Sequence, residues 1–267
     1  MKPALQPFAS TPAEWRDRIR AGELDGPTCG LAAGYVQANV VIVPATLADD
    51  FERFCRLNDQ ACPLLARTEP GDPCPAKAAP GADLRTDVPR YRVFRDGVPQ
   101  ADEPRDIRHL WRDDLVGFLL GCSFTFERAL VANGLPVRHL EVGSNVPMYR
   151  TTRACREAGA LAGPLVVSMR PYRPEQIAAV IRVTSGFPQM HGPPVHVGDP
   201  QALGIADLAR PDFGDPVPLA PGEVPVFWAC GVTPQLALVA ARPELAITHS
   251  PGCMLITDLT DTLYCRD

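Results

Sequence analysis

The chain has 267 residues, 46% of them hydrophobic, and its 26 Lys and Arg against 31 Asp and Glu give a formal net charge of −5. That length supports a sizeable core, most simply in two subdomains. The acidic balance supplies no basic field for nucleic acid or an anionic membrane surface, which leaves a small-molecule partner. Nine cysteines, an odd number with no CxxC pair, read as reduced thiols and not as a disulfide framework or zinc ribbon. The start has no apolar signal region, and no run approaches the roughly 18 apolar residues of a membrane span, so a cytoplasmic location is expected. Thirty prolines point to many ordered, rigid loops.

Residues 1–9 read as a loose tail. Thr11-Pro12-Ala13-Glu14 is a capping box with Pro at the first helical position and predicts a helix to about Ala21, ahead of Gly22. Residues 35–43 predict a strand stopped by Pro44, with Gln37 and Asn39 alternating against Val36, Ala38 and Val40. Thr46 is expected to cap a structural helix carrying Leu47, Phe51, Phe54 and Leu57. A short strand near 64–68, a turn-like passage over 80–87 and a hairpin around Asp96-Gly97 follow. Residues 109–120 read as a helix running into Gly121-Cys122-Ser123, and a second helix ends at Asn133-Gly134.

From 135 to 205 the texture changes. Strands at 137–141 and 145–151, a strand at 165–169, a helix at 174–184 and a strand at 195–197 make a β-β-β-α-β run. The expected architecture is therefore α/β: a larger three-layer domain from 10–134 plus 206–267, with a smaller two-layer subdomain, 135–205, inserted in it. The stretch 223–241 is the most structured signal of all. It reads as a buried strand, a tight turn at Gly231, and a helix opened by Thr233 as cap and Pro234 at its first position. Residues 121–130 resemble 229–238, sharing Cys, Thr, Ala and Leu at the same offsets, with His139 and His249 downstream; a helix before one and a strand before the other count against duplication.

Several motifs carry a family resemblance: PGADLRTDVPRYRVFRDG, RDDLVGFLLGCSF, NVPMYRT, GPLVVSMRP, HGPPVHVGDP, GIADLARPDFGD, VPVFWACGVTPQ and ITHSPG. In this order, over roughly Ser10 to Leu259, they resemble the bacterial hydro-lyase family grouped with D-glutamate cyclase. The resemblance implies a carbon–oxygen lyase. The mitochondrial enzyme with a similar region converts D-glutamate to 5-oxo-D-proline and water, and carries a further C-terminal domain that these 267 residues do not include.

Either a cyclisation or a β-elimination needs carboxylate clamps, an acid–base pair and a site for developing negative charge. Arg150, Arg170 and Arg85 are the clamp candidates, because a guanidinium fork grips a carboxylate bidentately. His191, His196 and His249 are the acid–base candidates, since imidazole titrates near neutrality; His109 reads as surface and His139 as strand packing. Cys122 and Cys230, each before a helix start, are candidate nucleophiles with a lowered pKa or else small hydrophobes. Ser123, Gly231, Thr233 and Gln235 line the two turns and are expected to bind substrate, with a carboxylate at the amides that open the second helix. Asp207, Asp212 and Asp215 read as turn caps. His191, His196 and Asp199 match no common zinc spacing, so no metal and no cofactor is expected.

The leading expectation is a cofactor-independent hydro-lyase on a small amino or carboxylic acid, with D-glutamate as the named candidate; self-association is left open. The alternatives are a Cys230-dependent amide hydrolase or acyl transferase, and a non-catalytic carboxylate-binding protein.

Overall fold

A computed structural model describes residues 10–266. The anticipated tail at 1–9 lies outside the described residues. Helix α1 (Pro12–Ala21) starts as its capping box requires. Thr11 N donates to Glu14 Oε2 at 2.6 Å, Glu14 N donates to Thr11 Oγ1 at 3.3 Å, and Gly22 closes the helix at φ 79°. β1 (Tyr35–Pro44) is almost wholly buried. α2 (Ala45–Leu57) buries Ala48, Phe51, Phe54 and Cys55; its cap position is Pro44, with Thr46 inside the helix. β2 (Leu64–Arg67), β3 (Tyr91–Arg95) and β4 (Val98–Pro99) precede β5 (Leu115–Gly121).

Two elements differ from the sequence reading. The expected helix at 109–120 is a short 3-10 turn, Arg108–Leu110, followed by β5. Its run Leu-Val-Gly-Phe-Leu-Leu is buried on both sides, so it lacks the alternation that separates a strand from a core helix. The expected strand at 137–141 is α4 (Arg138–Val142), ended by Gly143 at φ 68°. β6 (Met148–Ala154) then pairs with β7 (Pro164–Tyr172) and not with the 137–141 segment. α3 (Phe124–Ala132), α5 (Ile177–Ser185), β8 (His196–Val197), β9 (Val224–Ala229), α6 (Thr233–Ala241), β10 (Ala246–His249) and β11 (Leu255–Thr260) complete the chain.

The fold is mixed α/β, with two sheets in which every described ladder between strands is antiparallel. The first runs β2-β5-β1-β10-β3-β4 with β11 also on β1, and the second runs β6-β7-β9-β8. β9 lies beyond the 135–205 segment set apart from the sequence, yet it sits at the centre of the second sheet.

The two sheets are built alike. In each, a central strand (β1, β7) is followed by a helix (α2, α5), a short edge strand (β2, β8) and, after the additional β3–β4 hairpin in the first sheet alone, the second central strand (β5, β9). That strand then turns at a cysteine into a helix (α3, α6). The registers agree: Ala38 faces Gly121 as Val167 faces Ala229. The strand after each turn helix crosses to the opposite sheet, β6 beside β7 and β10 beside β1. The outer faces match too. Leu84, Val88 and Ile107 cover Val40 and Ile42 on the first sheet, as Leu203, Ile205 and Val217 cover Val167 and Phe227 on the second. Between the sheets, Val41, Phe51, Phe118, Ala229 and Leu238 form one apolar cluster, and Val36, Phe126, Tyr172, Val180 and Trp228 form another.

Candidate active site at the junction of the two sheets

The two cysteine turns meet where the chain changes sheets, and their hydrogen bonds repeat. Thr125 N donates to Cys122 O at 3.1 Å and Thr233 N to Cys230 O at 3.0 Å. The Phe124 amide favours the Cys122 thiolate, as the Val232 amide favours that of Cys230. The Thr125 hydroxyl accepts from Gln37 N of β1 at 3.4 Å, and the Thr233 hydroxyl from Val166 N of β7 at 3.0 Å. Cys122, Phe124, Val166, Cys230 and Val232 share one cluster, with Cys29, Phe213 and Leu236 at its edge. The strand before Cys122 removes the objection to an internal repeat that the expected helix had raised.

This geometry corrects the expected anion site at the start of α6. Thr233 is not a cap but the first residue of the helix, its hydroxyl tied to β7. The Thr233 and Gln235 amides donate to Cys230 O and Val232 O. The Gln235 side chain donates to His249 O at 3.0 Å and accepts from Arg92 at 3.3 Å. Gly231 makes room for Asn39 and not for a ligand: a Cβ there would stand 2.2 Å from Asn39 Nδ2. Nor are the thiols activated. Burial raises Cys230 to about 11 and raises Cys122 further, because the interior disfavours a thiolate more than one N–H can offset.

Charge collects on the α3 side of the junction. The Arg170 guanidinium, fully buried, lies 5.3 Å from the Phe126 ring centre and 5.4 Å from that of Trp228. It donates to Glu127 Oε1 through Nε and Nη2, to Ser123 Oγ at 3.0 Å and to Ser168 Oγ at 3.2 Å. Its fork is thus filled by an internal carboxylate, not left open at a strand end. His139 Nε2 stands 3.1 Å from the same Glu127 oxygen, close enough for an ion pair but off the hydrogen-bond line. Burial pulls the Glu127 pKa up, but the His139 and Arg170 charges, with the hydrogen bonds from Arg170, outweigh it and hold the carboxyl low. Sequence reasoning missed Glu127 and set His139 aside. The available signal was a carboxylate on the apolar stripe of α3 beside Phe126 and Leu130.

The other candidates lie apart from this cluster or serve the backbone. His249, fully buried, places Nδ1 3.2 Å from Val40 N and 3.1 Å from Val40 O. There β1 passes from pairing with β10 at Val41 to pairing with β11 at Ala38, so the imidazole fills a gap in the ladder. His191 holds Gln60 O at 2.8 Å from a left-handed backbone, φ 77°. Burial lowers both imidazoles to about 4. His196 Nε2 contacts Asp199 O at 2.7 Å on the edge of the second sheet. Arg85 is held by the Asp83 carboxylate through Nε and Nη2. Arg150 is more than half exposed and 3.4 Å from Asp212. Its guanidinium lies 5.6 Å from the Phe213 ring centre, and Arg92, which sequence reasoning did not single out, lies 5.7 Å from it.

The family model described as D-glutamate cyclase matches residues 116–258, which take in both cysteine turns, Glu127, His139 and Arg170. A "Putative hydro-lyase" from Stutzerimonas stutzeri is 62% identical over 94% of this chain and 94% of its own length. The chain belongs to the D-glutamate cyclase family. Relatives with the same description from Rubrobacter xylanophilus and Bordetella petrii are 62% and 57% identical, over 94% and 96% of this chain and 97% of each relative. A solved nitrogen repressor-like protein from Methanococcus jannaschii superposes with a TM-score of 0.37 at 9% identity, over 88% of this chain and 91% of that one; so loose a likeness bears on neither fold nor function.

In this D-glutamate cyclase family member two grooves open at the surface, and the second of them runs along α4, the helix that carries His139. One of ≈ 310 Å³ opens by Asn58, Gln60, Cys155 and Arg156, and one of ≈ 320 Å³ by Val131, Leu135, Val137 and Glu141. None of the sequence-derived candidates lines either. At the junction, Cys122, Ser123, Phe124, Asn145 and Cys230 each keep 5–9% exposure, so the approach there is narrow. Among the described residues no helix is long and apolar enough to cross a membrane.

Proposed function

We propose that the chain is a hydro-lyase that releases water from a small amino or carboxylic acid, with D-glutamate closing to 5-oxo-D-proline as its specific substrate. The observation that carries this reading is the imidazole and carboxylate of His139 and Glu127, set beside the Arg170 cation in the buried interior next to the cysteine turns. Losing water from an organic acid requires protons to be moved at nitrogen or carbon and at the departing oxygen, and such groups act most strongly where water is excluded. The family membership supports the same class. Arg150, more than half exposed beside Phe213 at the edge of the junction, suits the capture of a carboxylate, whereas Arg92 is already held by Glu103. Nine free cysteines fit a reducing compartment, and with it cytoplasmic action.

The test is to incubate the purified protein with D-glutamate, L-glutamate and related hydroxy acids and to follow loss of water by mass spectrometry. Turnover of D-glutamate is expected, and a protein that dehydrates no member of that set sinks the reading. Cys230→Ser should keep turnover within about tenfold, because a thiol raised to about 11 is not poised to attack; abolition would instead favour the thiol-dependent alternative.

A further inference from the structure

Among the described residues, four of the nine buried side-chain nitrogen and oxygen atoms without a protein hydrogen-bond partner belong to Glu127 of α3, His139 of α4 and Ser144 just after it. Glu127 Oε2, Ser144 Oγ and both His139 ring nitrogens are buried with no aligned protein partner. They are neighbours: Ser144 N donates to His139 O at 2.9 Å, and His139 touches Glu127. Most buried polar atoms in folded proteins find partners, so several orphans in one place call for an explanation beyond packing. Packing here is otherwise tight, with Phe124 6.2 Å from the His139 ring and Arg170 wedged between Phe126 and Trp228.

We propose that His139 is the proton-transfer residue of this site and that Glu127 is its positioning residue. The inference rests on the hydro-lyase reading. Negative charge on Glu127 Oε1, 3.1 Å from Nε2, favours the tautomer with the proton on Nε2 and leaves a lone pair on Nδ1 in the interior. Arg170 fixes Glu127 from the other side, so the carboxylate does not itself take the proton. This is the carboxylate–imidazole arrangement of an oriented general base, with Nδ1 as the working atom.

For D-glutamate the balance closes without a co-reactant. Nδ1 takes one proton from the substrate ammonium and passes it to a γ-carboxylate oxygen. The nitrogen lone pair forms the N–C bond, Nδ1 takes the second proton from nitrogen, and the C–O bond breaks with its electron pair on oxygen. That oxygen receives the second proton and leaves as water, and His139 returns to its starting state.

His139→Gln should lower kcat by about 10²–10⁴-fold with KM little changed and an unaltered circular dichroism spectrum. Glu127→Gln removes the carboxylate charge that selects the Nε2-protonated tautomer, so kcat should fall with KM little changed, and the population of that tautomer should fall with it. Glu127→Asp should restore part of both. The other charged or titratable groups near His139 and Glu127 are Arg170 and Tyr172 on β7, Cys29 in the N-terminal loop, Cys122 in the turn before α3, and Arg138 and Glu141 on α4, and all are retained in these variants. A purely structural Glu127 would leave the tautomer unchanged. Nitrogen-resolved NMR of the wild-type imidazole reads the tautomer without turnover, with the proton expected on Nε2. An Nδ1-protonated neutral ring, wild-type kcat in His139→Gln, or an unchanged tautomer in Glu127→Gln each overturns the assignment. Failure of the wild type to dehydrate any substrate, with the Nε2 tautomer seen, overturns the hydro-lyase reading instead.

Discussion

His191 and His249 tie folding to pH more directly than any other pair of side chains described. Each is buried neutral, with a pKa of about 4 against 6.5 for the ordinary imidazole. Between those values the unfolded chain binds the extra protons, so their contribution is complete above pH 6.5 and is lost as the pH falls toward 4. At pH 5 each should have cost about 2 kcal/mol of stability. Tm should therefore drop between pH 7 and pH 5, a range above the ordinary carboxylate titrations, and the double variant His191→Gln/His249→Gln should flatten the slope. A wild-type Tm that is level over that range contradicts the argument. The same residues show how far single positions are legible. Histidine marks a titratable group, but nothing local says that His249 plugs the step between β10 and β11, or that Glu127 and His139, 12 positions apart in sequence, face each other.

Elements with a local signature were the readable ones. The capping box of α1, the alternation in β1 and the strand–turn–helix around Cys230 each carry their cause within about ten residues. β5 was not readable as a strand, because a run buried on both faces has no period to report. The turn at Gly231 was placed correctly, but its purpose was misread, since Asn39 comes from a strand far earlier in the chain. Asn39 Nδ2 donates to Gly121 O at 2.7 Å, so its carboxamide braces one turn while filling the space beside the other. Gly231→Ala should then destabilise the protein by about 1–3 kcal/mol through overpacking. Adding Asn39→Ala should recover part of the loss, giving a favourable coupling in a double-mutant cycle measured by urea unfolding. Strictly additive losses would mean that the two residues do not press on each other.

At the scale of the whole molecule, the exchange of strands decides how the chain must fold. The first half supplies β6 to the sheet built on β7, and the second half supplies β10 and β11 to the sheet built on β1. Neither sheet can bury its central strand without the other half, and the charged junction draws Glu127 and His139 from the first half and Arg170 from the second. Such partners are invisible in sequence because strand pairing at long separation leaves no local trace, and contacts of that kind also slow folding. Cutting the chain between Ala154 of β6 and Pro164 of β7 separates the halves without breaking a strand. Each half alone should then show no cooperative thermal transition, since β7 would lack β6 and β1 would lack β10. Mixed or co-expressed, the two should recover the near-ultraviolet signal of buried Trp228 and a single transition. A half that melts cooperatively by itself would show that the two sheets are independent folding units and that the exchanged strands only decorate them.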